Sequence, residues 1–369
     1  MYFTDDSLLP ENQQPLMITV APYGPEWLPA DYPEDIPVSW EQQVQKAVDC
    51  FEAGATVIHL HVRVPETGHG SKDLDDYNKQ IERIRKAVPD LIIQVGGSIS
   101  FAPKTAGAKA EWLSFDTRHM LAELTPKPDQ VTVAIDTCLM DFTQLATAED
   151  IAGTSLTNPQ MLAAYANLYS DSPPSFYIEH LKRLRKTGIQ PMFMLANLSH
   201  LETVERLIRS GAYMGPLVHN LAALGGGGIG RNPADWIEYT RRSPHGSILT
   251  WEGVMRSVYP MAAMAVSLGV HMRVGIEDTL CGPQKGKRMT SIEQIKWVKD
   301  VANKLNRPIA TAKQARQMLK LGTWYNSVDE TLSALGLPPN REGGQQGFIV
   351  HKTDGKIFEN EAGLHPVML

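Results

Sequence analysis

With 369 residues, 43% of them hydrophobic, the chain is long enough to bury one large core or two ordinary ones. A net charge of −6, with no long Lys/Arg run, argues against nucleic acid as a partner. The longest apolar stretch, around residues 261–270, is about half of what a membrane-spanning helix needs, and the polar residues 5–14 hold no signal-peptide core, so a cytosolic protein with no membrane partner is expected.

Eight β-rich runs are expected in chain order, at residues 16–21, 56–62, 91–95, 131–136, 191–195, 217–219, 248–251 and 271–275, most of them followed by an amphipathic helix. After the first run, Ser39 with Gln42 makes a capping box, Val44, Ala47, Val48 and Phe51 form one apolar face, and Gly54 stops the helix. The same grammar recurs twice. Ser199 with Glu202 is expected to open a helix bearing Leu201, Val204, Leu207 and Ile208, closed by Gly211; Thr290 with Glu293 opens one bearing Ile292, Ile295 and Val298. Eight βα units without a dinucleotide fingerprint after the first run predict a closed (β/α)8, or TIM, barrel, with a doubly wound open sheet as the alternative.

Three segments exceed what a barrel needs: the proline-rich residues 22–37, residues 141–174, and the tail from 325. The catalytic barrel is assigned residues 1–324. Residues 325–369 read as a C-terminal extension, an oligomer-interface arm of a dimer or tetramer, with a hairpin from 347–352 and 356–359 flanking Thr353-Asp354-Gly355. Three scattered cysteines, Cys50, Cys138 and Cys281, lack CxxC spacing and indicate neither a disulfide framework nor a thiolate zinc site.

The second run reads Thr56-Val57-Ile58-His59-Leu60-His61-Val62-Arg63. Alternation puts His59, His61 and Arg63 on one face, so two imidazoles sit about 6 to 7 Å apart at the end of a barrel strand, a spacing that suits chelation once a third ligand arrives. Alone, the pair is equally well read as hydrogen-bonded structural histidines. The last run, His271-Met272-Arg273-Val274-Gly275-Ile276-Glu277-Asp278, puts the adjacent carboxylates Glu277 and Asp278 at the barrel mouth where catalytic groups collect. By itself this stretch would also suit a rim salt bridge; the two together favour a functional site for a divalent cation, with zinc expected.

HLHVR followed by Pro65-Glu66-Thr67-Gly68, and RVGIED preceded by Gly269-Val270-His271, resemble the two signature segments of the beta-keto acid cleavage enzyme family, whose founding activity is 3-keto-5-aminohexanoate cleavage. The resemblance runs from about residue 15 to 321, and Gly24-Pro25-Glu26 resembles the family's first-strand loop. It implies a (β/α)8 barrel that combines a β-keto acid with acetyl-CoA and releases acetoacetate and a new acyl-CoA. It also implies His59, His61 and Glu277 as metal ligands, Arg273 and Asp278 as a catalytic pair with Asp278 as base, and Glu26 as a polar contact.

Departures from the family pattern carry information. Gln94-Val95-Gly96-Gly97-Ser98 keeps the glycine pair expected to hold the substrate carboxylate but displaces the hydroxyl, so Ser98 or the amides of Gly96 and Gly97 are the candidates, a tight turn being the plainer reading. On the fifth run, Met192 and Met194 stand where the aminohexanoate enzyme uses an acidic residue, which predicts an apolar substrate wall, or else plain core packing. For CoA phosphates the candidates are Lys285, Lys287 and Arg288, and more weakly the run Gly225-Gly226-Gly227-Gly228; a solvated loop explains either as well. The alternative functions are a metal-dependent aldolase or lyase acting through an enolate without CoA, and a catalytically silent metal-binding barrel.

Overall fold

The computed structural model describes residues 1–97, 110, 112–166 and 168–341, the side chain of Phe142 excepted. The hydrophobic runs fold as strands β1 (Ile18–Val20), β2 (Val57–Leu60), β3 (Ile92–Val95) and β4 (Gln130–Ala134), then β5 (Cys138–Met140) and β6 (Leu168–Ser170). They continue as β7 (Gln190–Leu195), β8 (Val218–Ala223), β9 (Ile248–Gly253) and β10 (His271–Val274). All but β5 and β6 join a closed parallel barrel in the order β1-β10-β9-β8-β7-β4-β3-β2. Closure is explicit: β1 pairs with β2 on one side and with β10 on the other, Ile18 opposite Met272 and Val20 opposite Val274. The open-sheet alternative is thereby excluded.

Side-chain alternation sorts residues between two cores. Outward-facing Ile58, Leu60, Ile93, Val95, Phe193, Trp251 and Met272 pack under the helices in one large cluster. Inward-facing Met17, Val57, Ile92, Met192, Val218 and Ile248 plug the floor of the barrel, closed from below by Ala310, Ala315 and Leu319. Burying such side chains at about 25 cal/mol per Å² of apolar surface makes the plugged floor a rigid base for whatever stands above it.

Helix ends follow their caps in two of three cases. Trp40–Ala53 starts at Ser39 with the capping box to Gln42 formed, and Gly54 ends it at φ 120°. Ser291–Lys304 starts at Thr290 with its box to Glu293. The third expectation is corrected: the helix Leu198–Arg209 begins two residues earlier than a Ser199 cap would set it, after Asn197 in extended conformation. Glu202 is drawn instead to Arg242, 2.8 Å away. The apolar face Leu201, Val204, Leu207 and Ile208 is buried as expected.

Residues 138–166 and 168–170 form a roof over the barrel mouth. β5 and β6 pair antiparallel, and a cluster including Met140, Leu145, Ile151, Leu156 and Tyr165 packs onto Trp27, Met255, Ile276 and Leu280. Polar fasteners hold it down: Arg256 to Asp150 at 2.6 Å, with Asp150 2% exposed, and Ser155 to Asp31 through its amide at 2.6 Å and hydroxyl at 2.8 Å. The described part of the C-terminal extension includes the helix Val328–Ala334, whose Leu332 joins the main core; the hairpin expected at 347–359 lies outside the described residues. No helix of the described residues is long and apolar enough to cross a membrane.

Candidate active site

At the carboxyl ends of β2 and β10 the chain brings His59, His61 and Glu277 together, all buried, with potential ligand atoms within 4.8 Å of one another. His59 Nε2 and His61 Nε2 lie 3.6 and 3.5 Å from Glu277 Oε1. Two ligands at roughly 2.0 to 2.1 Å from one tetrahedral ion stand about 3.3 Å apart, so the trio fits a zinc-sized cation with little movement. Glu277 Oε2 is buried without a partner, and two nitrogens with one oxygen are a donor set that suits zinc. His59 Nδ1 faces Gln94 Oε1 at 2.8 Å, leaving Nε2 for the site. Burial, then Arg273, lowers His59 to about 3, so the ring is neutral and available as a ligand at neutral pH.

The surroundings explain the small residues. A Cβ on Gly96 would stand 2.4 Å from His61 Cε1 and 3.1 Å from His59 Nε2; one on Gly24 would meet Glu26 Oε2 and Glu277 Cγ at 2.2 and 2.3 Å. Glycine here gives the imidazoles their room. This corrects the anion-binding role expected of Gly96, whose amide is committed to the Leu60 carbonyl at 3.1 Å. Gly97 lines the pocket, and Ser98 lies outside the described residues.

Arg273 joins the trio to a second cluster. Its Nε and Nη2 donate to the two oxygens of Asp278 at 3.0 and 2.7 Å, Nη2 also reaches Glu277 Oε1 at 2.7 Å, and Nη1 lies 3.5 Å from Glu252 Oε2. Burial alone would raise Glu277, but Arg273 and the two histidines outweigh it and hold the carboxylate below its usual range. For Asp278 the balance reverses: burial wins over Arg273 and lifts it to about 6, so Arg273 orients this carboxyl without restoring its ordinary acidity. Glu26 lines the same pocket with Oε2 shielded and unpartnered, its carboxyl pushed well up by burial and by Glu277.

The remaining expected residues divide. Met194 lines the pocket, whereas Met192 lies one layer down in the barrel floor, a correction imposed by the two-residue pleat. Arg63 does not stay in the barrel: β2 ends at Leu60, and the guanidinium turns to the carbonyls of Gly24 at 2.7 Å, Trp27 at 3.2 Å and Gly68, pinning the first-strand loop. Lys285 pairs with Glu149 at 2.9 Å, Arg288 donates to the Ala152 carbonyl at 2.8 Å, and Lys287 is exposed; none of the three lines the pocket. The glycine run serves packing, because a Cβ on Gly225 or Gly226 would strike the backbone of Asp141 at 2.8 or 2.7 Å.

Sequence reasoning passed over Glu252 and its partner Asn220, whose amide donates to Glu252 Oε2 while accepting from the Leu195 amide at 3.3 Å. The signal existed: Glu252, like Glu277, is an acid near the end of a barrel strand. Burial, opposed by Arg273, raises it to about 7. Opposite these polar groups stands an apolar wall that includes Trp112, Met140, Leu168, Met194, Val254 and Met255.

A family profile described as beta-keto acid cleavage enzyme matches residues 15–321. The chain is 27% identical over 304 residues to the 3-keto-5-aminohexanoate cleavage enzyme of Acetoanaerobium sticklandii, spanning 82% of this chain and 97% of that one. It is 28% identical over 323 residues to the 3,5-dioxohexanoate:acetyl-CoA acetone transferase of Paraburkholderia graminis, spanning 84% and 97%. Among solved structures, a ternary complex of ObcA with C4-CoA adduct and oxalate shares the fold, with a TM-score of 0.55 and 16% identity over 77% of this chain and 67% of that one.

Proposed function

Because the chain belongs to the beta-keto acid cleavage enzyme family, we propose that it condenses a β-keto acid with acetyl-CoA, giving acetoacetate and a new acyl-CoA, with a divalent cation, zinc by preference, held by His59, His61 and Glu277. The observation that carries this reading is the meeting of a two-histidine, one-glutamate trio with the Arg273–Asp278 pair in one buried pocket. When bound, the cation supplies Lewis acidity to a keto oxygen, an effect worth several kcal/mol. Asp278 takes the proton lying between the ketone and the carboxylate, and a base near pH 6 is matched to that task. Arg273 holds both oxygens of Asp278 so that its proton-accepting lone pair is fixed relative to the ligands. The carbanion attacks the acetyl carbonyl, CoA passes to the original keto carbon, and cleavage of the old carbon–carbon bond leaves the acetoacetate carbanion, which takes the proton back from Asp278 and is released.

The apolar wall favours an uncharged, largely aliphatic chain on the substrate. Two further pocket carboxyls could answer a substrate ammonium: Glu252 is already engaged by Asn220 and Arg273, and burial with the neighbouring Glu277 pushes Glu26 toward its neutral form, so neither offers a free carboxylate. A panel of β-keto acids incubated with and without acetyl-CoA, following acetoacetate, tests the proposal. Acetoacetate that appears only with acetyl-CoA supports it; equal cleavage without acetyl-CoA would make the enzyme a lyase.

A further inference from the structure

Three glutamines stand side by side in the barrel, on β3, β4 and β7. Strand register sets His59 opposite Gln94, Gln94 opposite Gln130, and Gln130 opposite Gln190. All three glutamines are at most 4% exposed. Their amides are joined in one line: Gln190 Nε2 donates to the Leu319 carbonyl at 2.8 Å, Gln130 Nε2 to Gln190 Oε1 at 2.7 Å, and Gln94 Nε2 to Gln130 Oε1 at 2.9 Å. The line ends with Gln94 Oε1 at 2.8 Å from His59 Nδ1.

The line has a direction. A backbone carbonyl only accepts, so Leu319 obliges Gln190 to spend its NH2 group below and to turn its oxygen toward Gln130. Gln130 must then donate and offer its own oxygen to Gln94, which does the same. The atom that reaches His59 is therefore an oxygen, and Nδ1 must carry the ring proton. The Nε2 lone pair is left facing Glu277 Oε1, 3.6 Å away. A flip of any one amide would set oxygen against oxygen, or NH2 against NH2, among buried groups, where an unmade hydrogen bond is expensive.

We propose that Gln94, Gln130 and Gln190 are positioning residues that carry a hydrogen-bond direction from the Leu319 carbonyl, at the closed end of the barrel, across three strands to His59, fixing its tautomer for metal binding. The tautomer is a property of the metal-free chain; only its consequence for affinity rests on the cation site proposed above.

Long-range 1H–15N spectra of the full, metal-free chain labelled at histidine read the tautomer directly, with the His59 signal assigned by its loss in His59→Gln. Zinc affinity is measured in parallel by chelator competition. Wild type is expected to show the Nδ1-protonated ring. Gln94→Leu should mix the tautomers and weaken zinc roughly 10- to 100-fold, the range seen when a ligand histidine loses its outer partner. Gln130→Leu should also mix them, with a smaller loss, because Gln94 is then free to flip. Gln130→Glu should restore both readings, since a neutral carboxyl donates to Gln190 and accepts from Gln94. Should Gln130→Leu fail to fold, Gln190→Met removes the anchor instead and is expected to mix the tautomers. A Gln130→Leu or Gln190→Met protein with an Nδ1-protonated His59 and wild-type zinc affinity would overturn the relay, reducing the glutamines to core packing. A wild-type chain with the expected tautomer but no zinc affinity would instead sink the cation site and leave the relay standing.

Discussion

Replacing Gly96 by alanine tests the cation site with one methyl group. The added Cβ would lie 2.4 Å from His61 Cε1, 2.7 Å from His61 Nε2 and 3.1 Å from His59 Nε2. To regain ordinary contact the His61 ring must retreat by about 1 Å, whereas metal–ligand distances tolerate only about 0.2 Å. Gly96 is not among the residues at positive φ, so alanine suits the backbone and the clash falls on the imidazoles alone. Overpacking of this kind costs about 1 to 3 kcal/mol of stability, which a large barrel survives. Metal affinity should fall at least 100-fold, about 2.7 kcal/mol, through displacement of one ligand. Chelator competition gives the affinity and circular dichroism confirms the fold. Gly97→Ala is the contrasting variant, because its Cβ would meet the Thr132 carbonyl at 2.3 Å, backbone that cannot step aside, and stability should suffer first. A folded Gly96→Ala protein that binds zinc within threefold of wild type would refute the placement of both imidazoles around one ion.

Asp278→Asn should keep its metal yet lose about 10²- to 10⁴-fold in kcat, as expected for removal of a general base; unchanged turnover would dismiss Asp278 from that role. An aliphatic β-keto acid should exceed 3-keto-5-aminohexanoate in kcat/KM at saturating acetyl-CoA, and Met194→Glu, which puts a carboxylate in the apolar wall, should narrow the gap; equal efficiencies in wild type would show that the wall does not select. Stability should fall in acid, because burial lowers His219 to about 3 while the unfolded side chain titrates near 6.5, so the unfolded state binds the extra proton between those values. From pH 7.5 to 5.5 this one residue should account for about 1.4 kcal/mol of lost stability in urea titrations; a His219→Gln protein with an undiminished slope over that range would exclude it.

The barrel was legible because its units repeat a local code: β-branched runs, a box at Ser39 and Thr290, a glycine at the helix end. The code misled at one helix start, where Ser199 with Glu202 reads as a capping box but the helix already opens at Leu198 and Ser199 lies inside its first turn. His59, His61 and Glu277 could be read because short motifs fix their relative positions along single strands. Glu252 carried a signal of that kind, an acid near a strand end, that went unused; Asn220 and the three glutamines carried none, since each is an ordinary polar residue until register sets it beside a partner 30 or more positions away. The same limit hid the real work of Arg63: alternation puts it inside only if the strand continues, and β2 stops three residues before it.

The roof has a consequence for how such a pocket changes over evolutionary time. The proposed base and cation ligands stand on strand ends of the barrel, while Met140 and Leu168, part of the pocket's apolar wall, arrive on a separate insertion held by a handful of fasteners such as Asp150–Arg256. Selection can therefore redraw the insertion, altering which acyl chains fit, without disturbing a single reacting group. Descendants of one ancestral barrel would diverge by changing the lid's inner surface while inheriting the same chemistry, and chimaeras that exchange residues 138–170 between relatives should inherit substrate preference from the donor and reaction type from the host.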